Sequence, residues 1–473
     1  MDCCDTNNKD HYDLVIIGSG SASFAGAIRA TELGKSVAMI ERSTLGGTCV
    51  NVGCVPSKTL IRAAEAKHHT LHTSFKGITS KGVDFNFSNV INEKDVLVDS
   101  LRDAKYKNVL RSYESIDFIE GEASFLSKHE VKVGNRIIRG DYFLIATGAS
   151  AYAPQIPGLD KVKYLTSTTA FEIQEMPASM VIVGGRYIAL ELAQMFQRMG
   201  TKVTVLQRSD RILPTEDSDL TAALTGYLED EGMAILTNVK MLHVSQKGHF
   251  SVSFEKDGEE RILEVEQLVV ATGRRPNTSG LNLEETGVEL DRDKTIVTNE
   301  YSQTTQPHIY AAGDVIGNPS FVYTAAYEGK LAVENGFGGN IRQRDYSVVP
   351  YVVFTDPQVA GVGINEQTAK KEGIEVDVSK LTLDNVPRSL AARDARGFIK
   401  LLKKKGTDYL IGASILAPEG SELLMEISMA IKYKIPVTEI AVMFHPYLTL
   451  GESIKLAAQT FNKDVKKLSC CAS

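Results

Sequence analysis

No stretch of the 473-residue chain is long and apolar enough to span a bilayer. The opening Met1–Asp13 lacks the basic-then-apolar plan of a secretory signal. A basic stripe is missing as well. Lysine and arginine number 52 against 59 acids, and the net charge of -7 argues against a nucleic-acid partner. These absences predict a cytoplasmic protein with neither membrane nor nucleic acid among its partners. Six cysteines are too few to staple a chain of this size, so a disulfide scaffold is excluded. Low-complexity tracts and long linkers are absent too. With 43% hydrophobic residues, the chain should fold as two to four globular domains.

The cysteines that are there come in pairs: Cys3 with Cys4, Cys49 with Cys54, Cys470 with Cys471. In a reducing compartment such pairing points to redox chemistry or to a soft metal. Cys3 and Cys4, on a polar arm, read best as an incidental tail.

Two segments repeat one plan. Asp13–Arg42 and Ser179–Arg208 each read as strand, glycine turn, helix, strand, with Gly34 and Gly200 ending the helices. Gly18 to Glu41 and Gly184 to Gln207 are both steps of 23, and the closing phrases DYFLIATGA and EQLVVATGR repeat as well. The glycine turns lie 166 positions apart and the ATG phrases only 125. The first unit therefore carries about 41 extra residues, mostly between Glu41 and Leu110. These repeats predict an α/β chain with two Rossmann-like dinucleotide-binding domains. A change of texture near Asp345 marks an α+β domain to the end.

At the first turn, Gly18 permits the tight bend and Gly20 lets backbone approach a pyrophosphate. Ser23 holds the third position of the fingerprint, and Glu41 is placed for the ribose hydroxyls of an adenosine. The second turn departs from this pattern. Gly184 and Gly185 are followed by Arg186 where a glycine belongs, and Gln207 replaces the acid, with Arg208 and Arg211 close behind. A neutral residue followed by arginines suits a 2′-phosphate, which predicts NADPH over NADH.

The most specific stretch is Gly46-Gly-Thr-Cys49-Val-Asn-Val-Gly-Cys54-Val-Pro-Ser-Lys58. Two cysteines five apart at a helix start can reach each other across one turn, where the helix N-terminus and a cation would lower a thiolate pKa. From here the chain resembles the pyridine nucleotide-disulfide oxidoreductases, from about Asp13 to its last residues, including the ATG phrases and AAGD (Ala311–Asp314). The resemblance implies FAD and NADPH as cofactors and a homodimer with active sites shared between subunits. It makes Cys54 the flavin-facing thiolate, Cys49 the exchanging thiol, and Lys58 with Glu191 an ion pair near the flavin. It gives Asp314 the ribityl chain, and assigns Gly47, Thr48, Thr147, Gly148 and Gly273 to cofactor binding. The implied boundaries are 1–150 and 272–344 for the FAD domain, 151–271 for NADPH, and 345–473 for a dimerisation domain with a C-terminal dithiol tail.

Within the family, two features bear on the substrate. Disulfide reductases carry a catalytic histidine in a stretch like HAHPTLSE. Aligning Thr449-Leu-Gly-Glu452 on TLSE puts Tyr447 at that position and His445 two residues earlier. A phenol is a poor general base near neutral pH. The vicinal Cys470 and Cys471 have Cα atoms about 3.8 Å apart, short of the usual disulfide span, and so favour thiols that bind a soft ion. The phrases FNKDVKKLSCCAS, LTLDNVPRSLA and FTDPQVA, with Tyr106 and Tyr447, resemble the mercuric reductase branch. That resemblance implies Hg(II), arriving as a thiol complex, as the substrate. Cys470 and Cys471 would pass it to Cys49 and Cys54. The competing expectations are a thioredoxin- or glutathione-reductase-type enzyme and a non-catalytic metal-storage protein.

Overall fold

The computed structural model describes residues 10–467. It divides into two compact units, one of residues 1–57, 92–152 and 273–345, the other of 58–91, 153–272 and 346–473. The segment 58–91, part of the extra stretch in the first repeat, clusters with the second unit.

In the first unit a short apolar strand, His11–Ile17, runs parallel to Val37–Glu41 on one side and Arg136–Ile145 on the other. Ile116–Glu120 extends the sheet beyond Val37–Glu41. Ile309–Ala311 adds in parallel beside Arg136–Ile145, which also continues into an antiparallel meander, Glu130–Val133 and Ala123–Ser127. The central strands are buried on both faces and read as unbroken apolar runs, as a covered parallel sheet requires. The register pairs Ile17 with Ile40 and with Ile145, and Ile145 with Ala311. All four strands thus end level. The strand end at Glu41 and the loops carrying Gly18–Gly20, Thr147–Gly148 and Asp314 open along one carboxyl edge, where doubly wound sheets bind ligands. Helix α1 (Ser21–Glu32) packs against the helix Val322–Gly338 so closely that a Cβ on Gly329 would lie 2.0 Å from the Ala22 carbonyl oxygen.

The second unit repeats the arrangement. Ser179–Val183, Lys202–Leu206, Gln267–Val270 and Ala234–Leu236 form a parallel sheet that again ends level, with Val183 opposite both Leu206 and Val270. The sheet is joined by an antiparallel three-stranded meander over Lys240–Val265. The same unit holds a five-stranded antiparallel sheet in the order 351–353, 358–363, 410–417, 398–404, 376–382. The helices Leu424–Lys432 and Glu452–Gln459 bury Leu424, Ile427, Ile454 and Ala457 in its core. Among the described residues no helix is long and apolar enough to cross a membrane.

Candidate active site

At the first turn Gly18 has φ +112°, and a Cβ there would stand 2.4 Å from the Ala146 carbonyl oxygen, so only glycine fits. Gly20, which caps α1, has nothing within 4 Å of where a Cβ would lie. The cap supplies no side-chain hydrogen bond and the first turn holds no acid, so its N–H groups are left for an anion. Gly47 crosses close by: its Cβ would meet Gly20 Cα at 2.7 Å. This open, glycine-walled edge with unspent donors fits the pyrophosphate of a dinucleotide. Glu41 closes it. Its carboxylate accepts four hydrogen bonds, from Ser19 N (2.9 Å) and Oγ (2.7 Å) and from Ser43 N (2.8 Å) and Oγ (2.9 Å). Ser23, expected at the cofactor, is wholly buried with its Oγ unpartnered, and so faces packed interior rather than the open edge. Thr147 Oγ1 donates to Asn277 O at 2.8 Å, while Gly148 and Gly273 have positive φ and open space beside them. Asp314 lies 3.6 Å from Arg274; burial pushes its carboxyl above the usual range against the pull of that guanidinium. Arg274 Nη2 also lies 3.5 Å from Thr48 Oγ1.

The sequence reading sets the cysteine pair across one turn of a single helix. Instead Cys49 lies on α2 (Gly47–Val52) and Cys54 opens α3 (Cys54–Leu71). Gly53 between them has the non-helical φ -124° and ψ -109°, and a Cβ there would press to 2.9 Å from Thr48 O. Cys49 is half-buried and Cys54 exposed. Tyr106 is brought to both. Its phenol is pushed above the ordinary value by burial and then by the charges of Cys49 and Cys54, with Ser21 opposing. It sits on one turn of π-helix, Asp103–Lys107, which interrupts an otherwise α-helical run. Its ring stands edge-on to Phe24 at 4.9 Å. Tyr323, which sequence reasoning missed, is pushed up to about 12 by burial and by the charge of Cys54.

Lys58 Nζ lies 2.7 Å from Glu191 Oε2, although the two are 133 residues apart. Phe354, also unanticipated, fixes the pair: its N–H donates to Glu191 Oε1 at 2.9 Å and its ring lies 4.6 Å from the ammonium.

At the second turn Gly184 (φ +125°) repeats Gly18, with the Ala271 carbonyl oxygen 2.4 Å from a would-be Cβ. Gly185 packs on the Gln207 side chain, 3.0 Å from a would-be Cβ. Gln207 is buried, whereas Arg186 and Arg208 are exposed. Arg211 is engaged elsewhere, with Pro214 O at 3.1 Å and Gln367 Oε1 at 3.0 Å. The helix Tyr187–Met199 again opens without a side-chain cap or an acid in its first turn.

In the C-terminal sheet domain both ring nitrogens of His445 are engaged, Nε2 with Glu426 Oε1 at 2.9 Å and Nδ1 with Met443 O at 3.3 Å. Tyr447 is 51% exposed. Cys470 and Cys471, like Cys3 and Cys4, lie outside the described residues.

Residues 12–329 match the family model "Pyridine nucleotide-disulphide oxidoreductase", and residues 349–458 match that family's dimerisation domain. The chain belongs to the pyridine nucleotide-disulphide oxidoreductase family. Its relatives include the mercuric reductase of Staphylococcus aureus, 44% identical over 469 residues, 99% of this chain and 86% of that protein. The mercuric reductase of Streptomyces lividans is 42% identical over 98% of both chains. Among solved structures, the Cu(II) complex of the HOCl-induced flavoprotein disulfide reductase RclA from Escherichia coli superposes with a TM-score of 0.86. It is 30% identical over 96% of this chain and 100% of that one. Of the oxidoreductase family's motifs, the glycine turns and the cysteine pair were visible in sequence. Tyr323 and Phe354 carry no local signal, because only the tertiary fold brings them to Cys54 and to the Lys58–Glu191 pair.

Proposed function

We infer that this oxidoreductase reduces Hg(II) to Hg(0) in the cytoplasm as a homodimer. FAD held along the first carboxyl edge, and NADPH held along the second, supply the two electrons. Gly18, Gly20, Gly47 and the α1 N-terminus take the flavin pyrophosphate, Glu41 its ribose, and Asp314 its ribityl chain. Gly184, Gly185 and Arg186 take the NADPH pyrophosphate. Arg208, exposed beside the neutral Gln207, takes the 2′-phosphate. Lys58, its charge fixed by Glu191, stands beside the flavin ring.

Hg(II) arrives as a complex with small thiols. Cys470 and Cys471 of one subunit exchange those ligands and hand the ion to Cys49 and Cys54 of the other. Thiolates suit this soft cation, and Hg(0), which binds them poorly, leaves. The arrangement around the cysteines carries this reading. Tyr106 stays protonated next to both sulfurs, so its O–H can orient a thiolate but cannot act as a base near neutral pH. His445, two residues before Tyr447, is held by Glu426 at 2.9 Å and lies 3.3 Å from Met443 O. Dimer formation is favoured by apolar side chains left open on the dimerisation domain: Met425 (61% exposed), Tyr433 (67%) and Phe444 (102%).

The test is the double variant Cys470→Ala/Cys471→Ala. NADPH should still bleach the flavin at the parental rate, while turnover with thiol-liganded Hg(II) falls at least about tenfold. Undiminished mercury turnover would defeat the handover.

A further inference from the structure

A cavity of about 190 Å³ lies within the second unit. Lys58, Arg62, Glu65, Glu191, Arg198 and Asp356 line it, three cations and three anions. It is large enough for several waters, and its walls offer them partners. Along α3, Lys58, Arg62, Glu65 and His69 recur at steps of four, three and four, which sets them on one face of the helix. That row runs about 16 Å, at 1.5 Å per residue, from the Lys58–Glu191 pair to a histidine 54% exposed. At the outer end His69 Nε2 lies 3.6 Å from Glu65 Oε1 and 3.9 Å from Asp356 Oδ2.

These three residues do not make a metal site. Glu65 is bound by Arg62 at 2.6 Å, and Asp356 by Arg198 at 2.8 Å and Arg396 at 2.9 Å, so guanidinium groups already occupy the carboxylates. A proton is the cation that fits there. Turnover moves one. When a hydride leaves NADPH and its electrons pass singly to two one-electron acceptors, one proton remains for each NADPH oxidised; when they pass to a mercuric dithiolate, the two thiolates set free take up that proton and one more from solvent. On the reading above, the exchange takes place beside Lys58 and Glu191. This step rests on the flavoprotein reading above, but not on mercury being the acceptor.

We propose that the cavity beside Glu191 carries protons between this site and solvent, with His69, beside Glu65, as their outer carrier. The charges facing His69 suit the task. Its imidazole is raised above the ordinary value, first by Glu65 at 3.6 Å, while burial and Arg198 oppose and Asp356 assists. Burial works against the charge on Glu65, yet His69 and Arg62 outweigh it and hold that carboxyl below the usual range. Glu65 thus faces His69 as a carboxylate, and the imidazole can take a proton at one nitrogen and lose one at the other.

The experiment uses the flavin-loaded enzyme in single-turnover stopped flow with a pH-indicator dye. NADPH is the donor, and either Hg(II) with excess thiol or ferricyanide is the acceptor. In the parent, one proton should be released with ferricyanide, and one taken up with thiol-liganded Hg(II), in step with the loss of NADPH. In His69→Gln and in Glu65→Gln this proton signal should lag about tenfold, below the usual contribution of a positioned proton-transfer group because water still carries part. Free imidazole should shorten the lag, which repair of a merely structural defect would not do. Protons released or taken up at the parental rate in both variants, or a lag that imidazole leaves unchanged, would overturn the route. If NADPH failed to bleach the parent's flavin, the flavoprotein reading and the route would fall together. If ferricyanide alone shows the lag, mercury is lost as substrate while the route stands.

Discussion

Gly18 and Gly184 share one backbone pose, at φ +112° and +125°, each with a strand carbonyl 2.4 Å from the place a Cβ would take. Beyond that pose the two turns diverge. The first has open space at Gly20 and a carboxylate, Glu41, whose two oxygens take four hydrogen bonds from Ser19 and Ser43. The second has an exposed arginine at the matching place and a buried neutral amide, Gln207, folded against Gly185. The glycine that bends the chain is set by the sheet, and both turns keep it. The residues beside it are not, and on the proposed reading they separate a site that keeps its cofactor from one that must release its product.

The largest contrast should come from the shared glycines. Gly18→Ala and Gly184→Ala each force a side chain into a left-handed backbone, at about 1–3 kcal/mol, before the carbonyl clash is counted. Gly18→Ala should purify without yellow colour. Gly184→Ala should stay yellow yet resist bleaching by NADPH, as absorbance spectra would show. Next, Gln207→Glu sets a carboxylate beside the proposed 2′-phosphate site. The ratio of kcat/KM for NADPH over NADH should fall at least about tenfold, a shift of roughly 1.4 kcal/mol. An unchanged ratio would remove Arg208 and Gln207 from nucleotide selection.

A smaller effect separates space from stability. Gly20→Ala adds a methyl group where nothing lies within 4 Å, so the flavin-free protein should melt within about 0.5 kcal/mol of the parent. Flavin affinity, by titration, should nonetheless weaken because the pyrophosphate needs that space. The smallest effect is one of pH, in the unit that carries the second turn. Burial, then the charge of Arg198, pushes His68 down to about 4. Below pH 6.5 the unfolded chain takes a proton that the folded state refuses, so this contribution to stability is lost as pH falls toward 4. Thermal melts of His68→Gln at pH 7 and pH 5 should therefore differ less than those of the parent.

The sequence made legible whatever is encoded locally. Strand ends, the glycine turns and the carboxylate at a fixed step are matters of periodicity and backbone freedom. Side chains joined only by the fold were less legible. Lys58 and Glu191, 133 residues apart, were paired through family resemblance, and nothing local marks Phe354 as the group that fixes them. Ser23 fills a fingerprint position yet turns inward, since α1 packs that side into the core. The break at Gly53 escaped notice because the cysteine spacing suits one helix as well as two, and the π-turn under Tyr106 leaves no mark on the spacing of apolar residues.

The chemistry itself is most directly tested by following NADPH oxidation with the purified, flavin-loaded enzyme in excess small thiol. Mercuric ion, glutathione disulfide and oxidised thioredoxin are supplied in separate runs. The account predicts brisk oxidation with mercuric ion, abolished in Cys49→Ser and Cys54→Ser, and little or none with either disulfide. Rapid turnover of a disulfide with no response to mercuric ion would contradict it.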